Sequence, residues 1–384
     1  ADLVHAEELN GASSGIRLRL EDQMSRVRCL SLAAMVLVVW TPDGAKAWDH
    51  PGHMTTAAIA FAEIERQRPE LLEKIGLLML AQPDRAPFWL AAGDAKGKER
   101  ARRMFIEAAR WPDDIKFTVQ DRPTWHSARW AIVADDAPPE VREIALARGD
   151  QPTGNAIEAA VLNSAVLANS ESKPEERAIA LCWMMHIVGD IHQPLHVSDQ
   201  YSAISPTGNA AGTLEYVWDP LRDSAMPFHL LWDSNAMRST EIADIDRYSA
   251  EIRQKFPRES LPELVPLTGP DDYRLWARES YEVAVDFAYG YGIKTVGDPN
   301  KDVDSDRLIG NMIKYILEGV SPVQEAPPVP DEYWERLQRE AQRRIALAGY
   351  RIADVVIAAA DRIFANRALS GRVLDSMPRH GPAN

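Results

Sequence analysis

The hydrophobic positions along this chain recur mainly with the period of a helix. From Met54 to Gln67 the residues Ala58, Phe61, Ala62 and Ile64 fall on one side, which predicts a helix with His53 at its start. Leu71 to Leu80 reads as a second, shorter helix and Pro83 to Pro87 as a loop. Phe88 to Arg110 is mostly helical, with a break around Gly93 to Gly97. Asp113 and Asp114 follow Pro112, a sequence that suits a helix N-terminus with carboxylates in its first turn. Asp135 to Pro139 is a polar turn, Asn155 to Ala168 an apolar helix, and Pro174 to His192 a long one. Between Val197 and Pro227 the pattern weakens. Gly208, Asn209 and Gly212 mark a loop, and Leu214 to Trp218 a short strand. Helices return over Trp276 to Tyr291 and Asp304 to Leu317, and Gly319 to Pro330 forms a proline-rich loop. Asp331 to Arg367 is one long amphipathic run with Gly349 as its point of bending; residues 368–384 read as a flexible tail. Strand patterns are scarce, so the expected fold class is all-α, a single large helical domain over residues 48–367.

The first 47 residues read differently. Arg26 and Arg28 precede an apolar run from Cys29 to Trp40, followed by Pro42, Gly44 and the Ala45-Lys46-Ala47 triplet. A basic start, an apolar centre and A-x-A describe a secretory signal over residues 24–47, cleaved after Ala47, with residues 1–23 as an upstream extension. The protein is then expected to be exported, to a periplasm or beyond the cell. The formal net charge of −14 excludes binding of polyanions through the overall field, so an anionic substrate requires locally bound cations. Two cysteines, Cys29 and Cys182, give no disulfide framework. No apolar run reaches the roughly 18–20 residues of a membrane span, so no stable membrane insertion is expected.

Chemistry concentrates in HIVGDIHQPLH, His186 to His196. His186 and Asp190 lie four apart, one turn apart on one helix face. Pro194 stops the helix near His192 and places His196 on the exit turn. Imidazole nitrogen and carboxylate oxygen are the ligands of hydrolytic zinc sites. A second face of the same kind occurs in FHLLWD, with His229 and Asp233. His126, between Trp125 and Trp130, and Asp113 by themselves suit packing and helix capping as well as ligation. His192 falls on a different helix face from His186 and Asp190 and reads as a supporting or structural residue. Cys182 reads as a small core residue, and His50 as a loop residue near the site.

Taken in order, WDHPGH, WPDDIK, TWH, HIVGDIHQPLH and FHLLWD resemble the zinc-dependent single-strand nucleases of the S-one/P-one type, whose helical fold is shared with bacterial zinc phospholipases C. The resemblance spans Trp48 to about Asn366. It implies three zinc ions. One would be held by Asp113, His126, His186 and Asp190. A second would take the amine and carbonyl of Trp48, His53 and the other oxygen of Asp190, and a third His196, His229 and Asp233. Further implied are a zinc-activated hydroxide attacking phosphorus and charge stabilisation by Lys116 beside Asp113. Asn209 would contact substrate. The expected activity is hydrolysis of single-stranded DNA and RNA to 5′-phosphorylated products, with 3′-nucleotidase activity. Ser127 stands where fungal members carry a base-stacking aromatic residue, and the loop from Ser198 to Gly212 lacks the usual glycine pair, which leaves base preference open. A phospholipase C on the same fold and a non-catalytic zinc-binding protein remain the competing readings. Oligomeric state is left open by the sequence.

Overall fold

In this computed structural model the described residues are 48–116, 118–219, 223–234, 239–299 and 321–376, with side chains described to residue 365. The signal and extension expected over residues 1–47, the helix Asp304 to Leu317 and the helix end at Gly319 lie outside them. Eleven α-helices occur among the described residues, with five short strands. The mainly helical class expected from the periodicity is what the chain adopts.

Helix α1 (His50–Gln67) starts four residues earlier than its apolar pattern, because Asp49 caps it by accepting from Gly52 N at 3.2 Å and Pro51 sits in its first turn. His53 is therefore inside the helix. α2 (Leu71–Met79) and α3 (Arg85–Ala92) lead to α4 (Gly97–Asp114), which packs against α1, α2 and α3. α5 (Pro139–Ala147) occupies a stretch where the sequence suggested only a turn before it. α6 (Ala156–Ala168) packs along α7 (Pro174–Asp190), the axis of the domain. From Ala180 to Asp190 every α7 side chain is buried, and a helix buried all round belongs at the centre of a core. Leu181, Met184, Met185, Ile187 and Val188 each contribute about 1.5–3 kcal/mol by burial. That apolar contact offsets the cost of burying His186 and Asp190 on the same helix.

Two expectations are corrected here. α4 runs through Pro112, so Asp113 and Asp114 stand in its last turn and not in a first turn. Proline inside a helix removes one hydrogen bond, which is tolerable where the helix is about to end. Carboxylates at this end oppose the helix dipole and need cationic partners. Arg110 supplies one by forking onto Asp114 at 2.8 and 2.9 Å. At the other end of the chain, α11 (Asp331–Ser376) continues past Arg367 as one helix. Gly349 does not interrupt it. This glycine is where α11 crosses α1, and a Cβ there would lie 2.6 Å from Ile59 Cβ and 2.9 Å from Thr56 O.

The remaining elements position loops. A 3₁₀ turn at Pro123–His126 precedes strand β1 (Trp130–Val133), and another at Pro194–Val197 precedes β2 (Ser198–Tyr201). β1 and β2 pair in parallel, with Trp130 opposite Ser198. This lays the two histidine-bearing turns side by side. β3 (Glu215–Asp219), close to the predicted strand, pairs antiparallel with β4 (Ser224–Pro227) and β5 (Val296–Gly297). β4 feeds directly into α8 (Phe228–Asp233). α9 (Ile242–Lys255) packs on α1. α10 (Asp272–Val283) ends in a π-helical turn over Ala284–Ala288.

Candidate metal centre

Eight of the predicted ligand side chains converge into two adjacent groups. In the first, Asp190 divides its carboxylate. Oδ1 lies 3.2 Å from His53 Nε2, while Oδ2 lies 3.4 Å from both His126 Nδ1 and His186 Nε2. Asp113 Oδ1 approaches the same nitrogens of His186 and His126 at 3.7 and 3.9 Å. In the second group, His229 Nε2 lies 3.1 Å from Asp233 Oδ2 and 3.1 Å from His196 Nε2. Three sets of donor atoms each lie within 4.8 Å of one another: His53 with His186 and Asp190, Asp113 with His126 and His186, and His196 with His229 and Asp233. All eight side chains are buried.

Backbone carbonyls decide which nitrogen each ring presents. His186 Nδ1 donates to Ala109 O at 2.8 Å, His196 Nδ1 to His126 O at 2.6 Å and His229 Nδ1 to Ala211 O at 2.8 Å. A carbonyl only accepts, so Nδ1 carries the proton in all three rings, and each ring in its neutral form offers a lone pair at Nε2. Burial opposes charge on His229, but Asp233 beside it raises its pKa above the usual imidazole value. In the second group two such lone pairs face each other at 3.1 Å beside a carboxylate. A metal ion between them, or a proton on His229, satisfies that arrangement. In the first group both nitrogens of His53, Asp113 Oδ2, both oxygens of Asp190 and His126 Nε2 have no hydrogen-bond partner in the protein. Buried polar atoms are seldom left so, and a cluster of them made of carboxylates and imidazoles fits a divalent metal.

Electrostatics favour the same state. Burial, with His186 adding its field, holds His53 well below the usual imidazole range; burial and Lys116 do the same for His126. Such rings are neutral and available as ligands at neutral pH. Burial and the charge of Asp113 push Asp190 well above the carboxylate range. Asp113 is itself held low, since Lys116, at 2.6 Å, and the imidazoles outweigh its burial. Burial lifts the Cys182 thiol to about 12, which fits the core role expected for it.

Trp48 is fully buried beside this centre, its indole Nε1 donating to Gly189 O at 3.1 Å. Asp49 N donates to Asp233 O at 3.2 Å, and His50 Nε2 meets Asp114 Oδ1 at 3.2 Å. These contacts pin the start of the domain between α4, α7 and α8. Asn209 lies in the loop between β2 and β3. It is fully buried, accepts from Gln200 N and Gly212 N, and donates to Tyr289 Oη at 3.2 Å. Its loop carries Ala210 and Ala211 at positive φ and offers the Ala211 carbonyl to His229.

Two site residues escaped the sequence reading. Gln193 donates to Asp233 Oδ1 at 2.6 Å and accepts from Leu195 N. Gly189 leaves room for a ligand, because a Cβ there would lie 2.8 Å from His53 Nδ1. The glycine within HIVGD was the available signal.

The family model described as S1/P1 Nuclease matches residues 48–361. The chain belongs to the S1/P1 nuclease family. It is also similar to Endonuclease 2 of Arabidopsis thaliana, 24% identical over 301 residues, covering 73% of this chain and 90% of that protein. The chain is accordingly a nuclease of a metal-dependent family, and it has histidine and aspartate groups that could bind metal. No described helix is long and apolar enough to cross a membrane.

Proposed function

We propose that this S1/P1 nuclease family member is an exported, zinc-dependent enzyme. It would hydrolyse single-stranded DNA and RNA to 5′-phosphorylated products and release phosphate from 3′-nucleotides. The observation that carries the reading is the pair of buried donor groups joined by Asp190 and the exit turn of α7. Three zinc ions would be held by Asp113, His126, His186 and Asp190; by His53, Asp190 and the freed amine and carbonyl of Trp48; and by His196, His229 and Asp233. Bound there, zinc supplies positive charge to phosphoryl oxygens and acidifies water at neutral pH. Asp190 is suited to serve two ions because its oxygens face different imidazoles. Lys116, held by Asp113 and partly exposed, adds cationic charge at the edge of the first group. The buried surroundings keep His53 and His126 neutral and so ready to ligate.

The test is hydrolysis by protein beginning at Trp48 and loaded with zinc. Single-stranded DNA, RNA, 3′-AMP and phosphatidylcholine are offered side by side with an EDTA control. Chelator-sensitive release of 5′-phosphorylated products and adenosine is expected. Lipid cleavage alone, or zinc binding without turnover, would overturn the proposal. Protein retaining residues 1–47 has no free amine at Trp48 and should hold one zinc fewer, with most activity lost. Three zincs and full activity in that form would remove Trp48 from the ligand set.

A further inference from the structure

The two ligand groups are joined by one stretch of chain, Asp190 to His196, and that stretch is gripped from behind. Ser280 Oγ donates to Ile191 O at 2.6 Å, and Arg344 Nε to His192 O at 3.2 Å. The His192 ring lies between Val188 O, 2.7 Å from Nδ1, and the Arg351 guanidinium, 2.8 Å from Nε2. A guanidinium only donates, so Nε2 accepts and the proton resides on Nδ1, pointing at Val188. Arg351 forks onto Glu279 at 2.7 and 2.7 Å and donates to Glu263 O at 3.0 Å. Arg344 reaches Ser280 Oγ and lies 3.5 Å from Glu279. Both arginines are almost wholly buried, at 1% and 2% exposure. They stand seven residues apart on α11, two turns along one face. Glu279 and Ser280 come from α10.

The two buried guanidiniums share Glu279 at the C-terminal end of α7. Unpaired carbonyls and the helix dipole favour a cation there. Burying such groups is costly unless their hydrogen bonds fix something, and an apolar packing would stabilise the fold as well. What they fix is the turn. On its other side Gln193 orients Asp233, and His196 follows three residues on.

We propose that Arg351, with Arg344 and Glu279, is a positioning clamp that acts through His192 and the turn carbonyls. It holds Gln193 and His196 in the register that lets His196, His229 and Asp233 close on a single metal ion. This rests on the metal-binding reading above. The arginines bind no metal and touch no substrate, so they are positioning residues.

The experiment is a zinc titration of metal-free protein beginning at Trp48 against a chromogenic chelator, with thermal melting alongside. Wild type, Arg351→Met and Arg351→Lys are compared. Arg258→Met serves as control, since it removes an ion pair to Asp354 on α11 without touching the turn. Arg351→Met is expected to weaken one zinc by about 10–100-fold and leave the others unchanged. Arg351→Lys, which keeps a donor for His192, falls between. Adding Asp233→Ala to Arg351→Met should cost no further zinc affinity beyond Asp233→Ala alone. Arg258→Met should lower only the melting temperature. The clamp is overturned if Arg351→Met lowers melting with every zinc affinity unchanged, or weakens all ions alike. Should Arg351→Met not fold, Glu279→Gln, at a 29% exposed side chain, must show the same selective weakening; unchanged zinc binding there is equally fatal. A wild type that binds no zinc refutes the metal reading itself, visibly and before any variant is compared.

Discussion

The first ligand group takes His53, Asp113, His186 and Asp190 from the long helices α1, α4 and α7, with His126 added from a 3₁₀ turn. The second takes His196 from another 3₁₀ turn and His229 and Asp233 from the six-residue α8. In the first, packing alone sets His53, while His186 is also tethered to Ala109 O. The His53 and His186 rings stack with centroids 3.9 Å apart, and His53 makes no hydrogen bond within the protein. In the second, hydrogen bonds set position, since both imidazoles are tethered by carbonyls and Asp233 is held by Gln193. The long helices, with their large apolar contact, carry His53 without a hydrogen bond from the protein. A short helix and a turn have too little buried surface for that, and the backbone around them does the holding.

The largest test of this contrast compares Asp190→Ala with Asp233→Ala. Asp190 faces imidazoles on both of its oxygens, so its loss should remove two zincs together and reduce turnover by at least ~10²–10³-fold. Asp233→Ala should remove one. Equal stoichiometries by atomic absorption would refute the bridging assignment. Gly189→Ala addresses packing alone. Its methyl group would press on the His53 ring, and a stability loss of about 1–3 kcal/mol with weakened zinc at the first group is expected by denaturant titration. An unchanged melt and full zinc would show that the ring is not packing-limited.

The helical half also bears a cost that pH exposes. Glu107 on α4 is pushed up to about 7, chiefly by burial, against partial relief from Arg110. The folded state thus holds a proton that the unfolded state releases at an ordinary pKa of 4.5. This stabilisation is full below that value and is lost as pH rises through about 7. Glu107→Gln should therefore match wild type near pH 5 and exceed it by about 1–3 kcal/mol at pH 8. Identical stability profiles for the two proteins across that range would show that Glu107 ionises freely.

Much of this was legible before any coordinates. The helical period gave most helices, and four-residue spacing put His186 with Asp190 and His229 with Asp233. Pro112 misled, because proline before two aspartates reads locally as a helix start. Only the contacts of α4 with α1, α2 and α3 explain why the helix persists to Asp114. Asn209 sits in a glycine-bearing loop, and its contact with Tyr289, eighty residues on, has no local signal. Arg344 and Arg351 lie within the long amphipathic run; their partner Glu279 lies on another helix, and no local pattern connects them.

The crossing at Gly349 has a consequence in time. α1 carries His53 and lies against α11, so the beginning and the end of the domain are neighbours, with Ile59 seated against Gly349. Contacts between residues so distant along the chain form late in folding. The first ligand group therefore has its supporting wall only after the last helix has been synthesised and has docked. A chain stopped before Asp331 should bind zinc weakly and cut nothing, which zinc titration of that fragment would reveal. An enzyme built this way would be inert until α11 has been made and has docked.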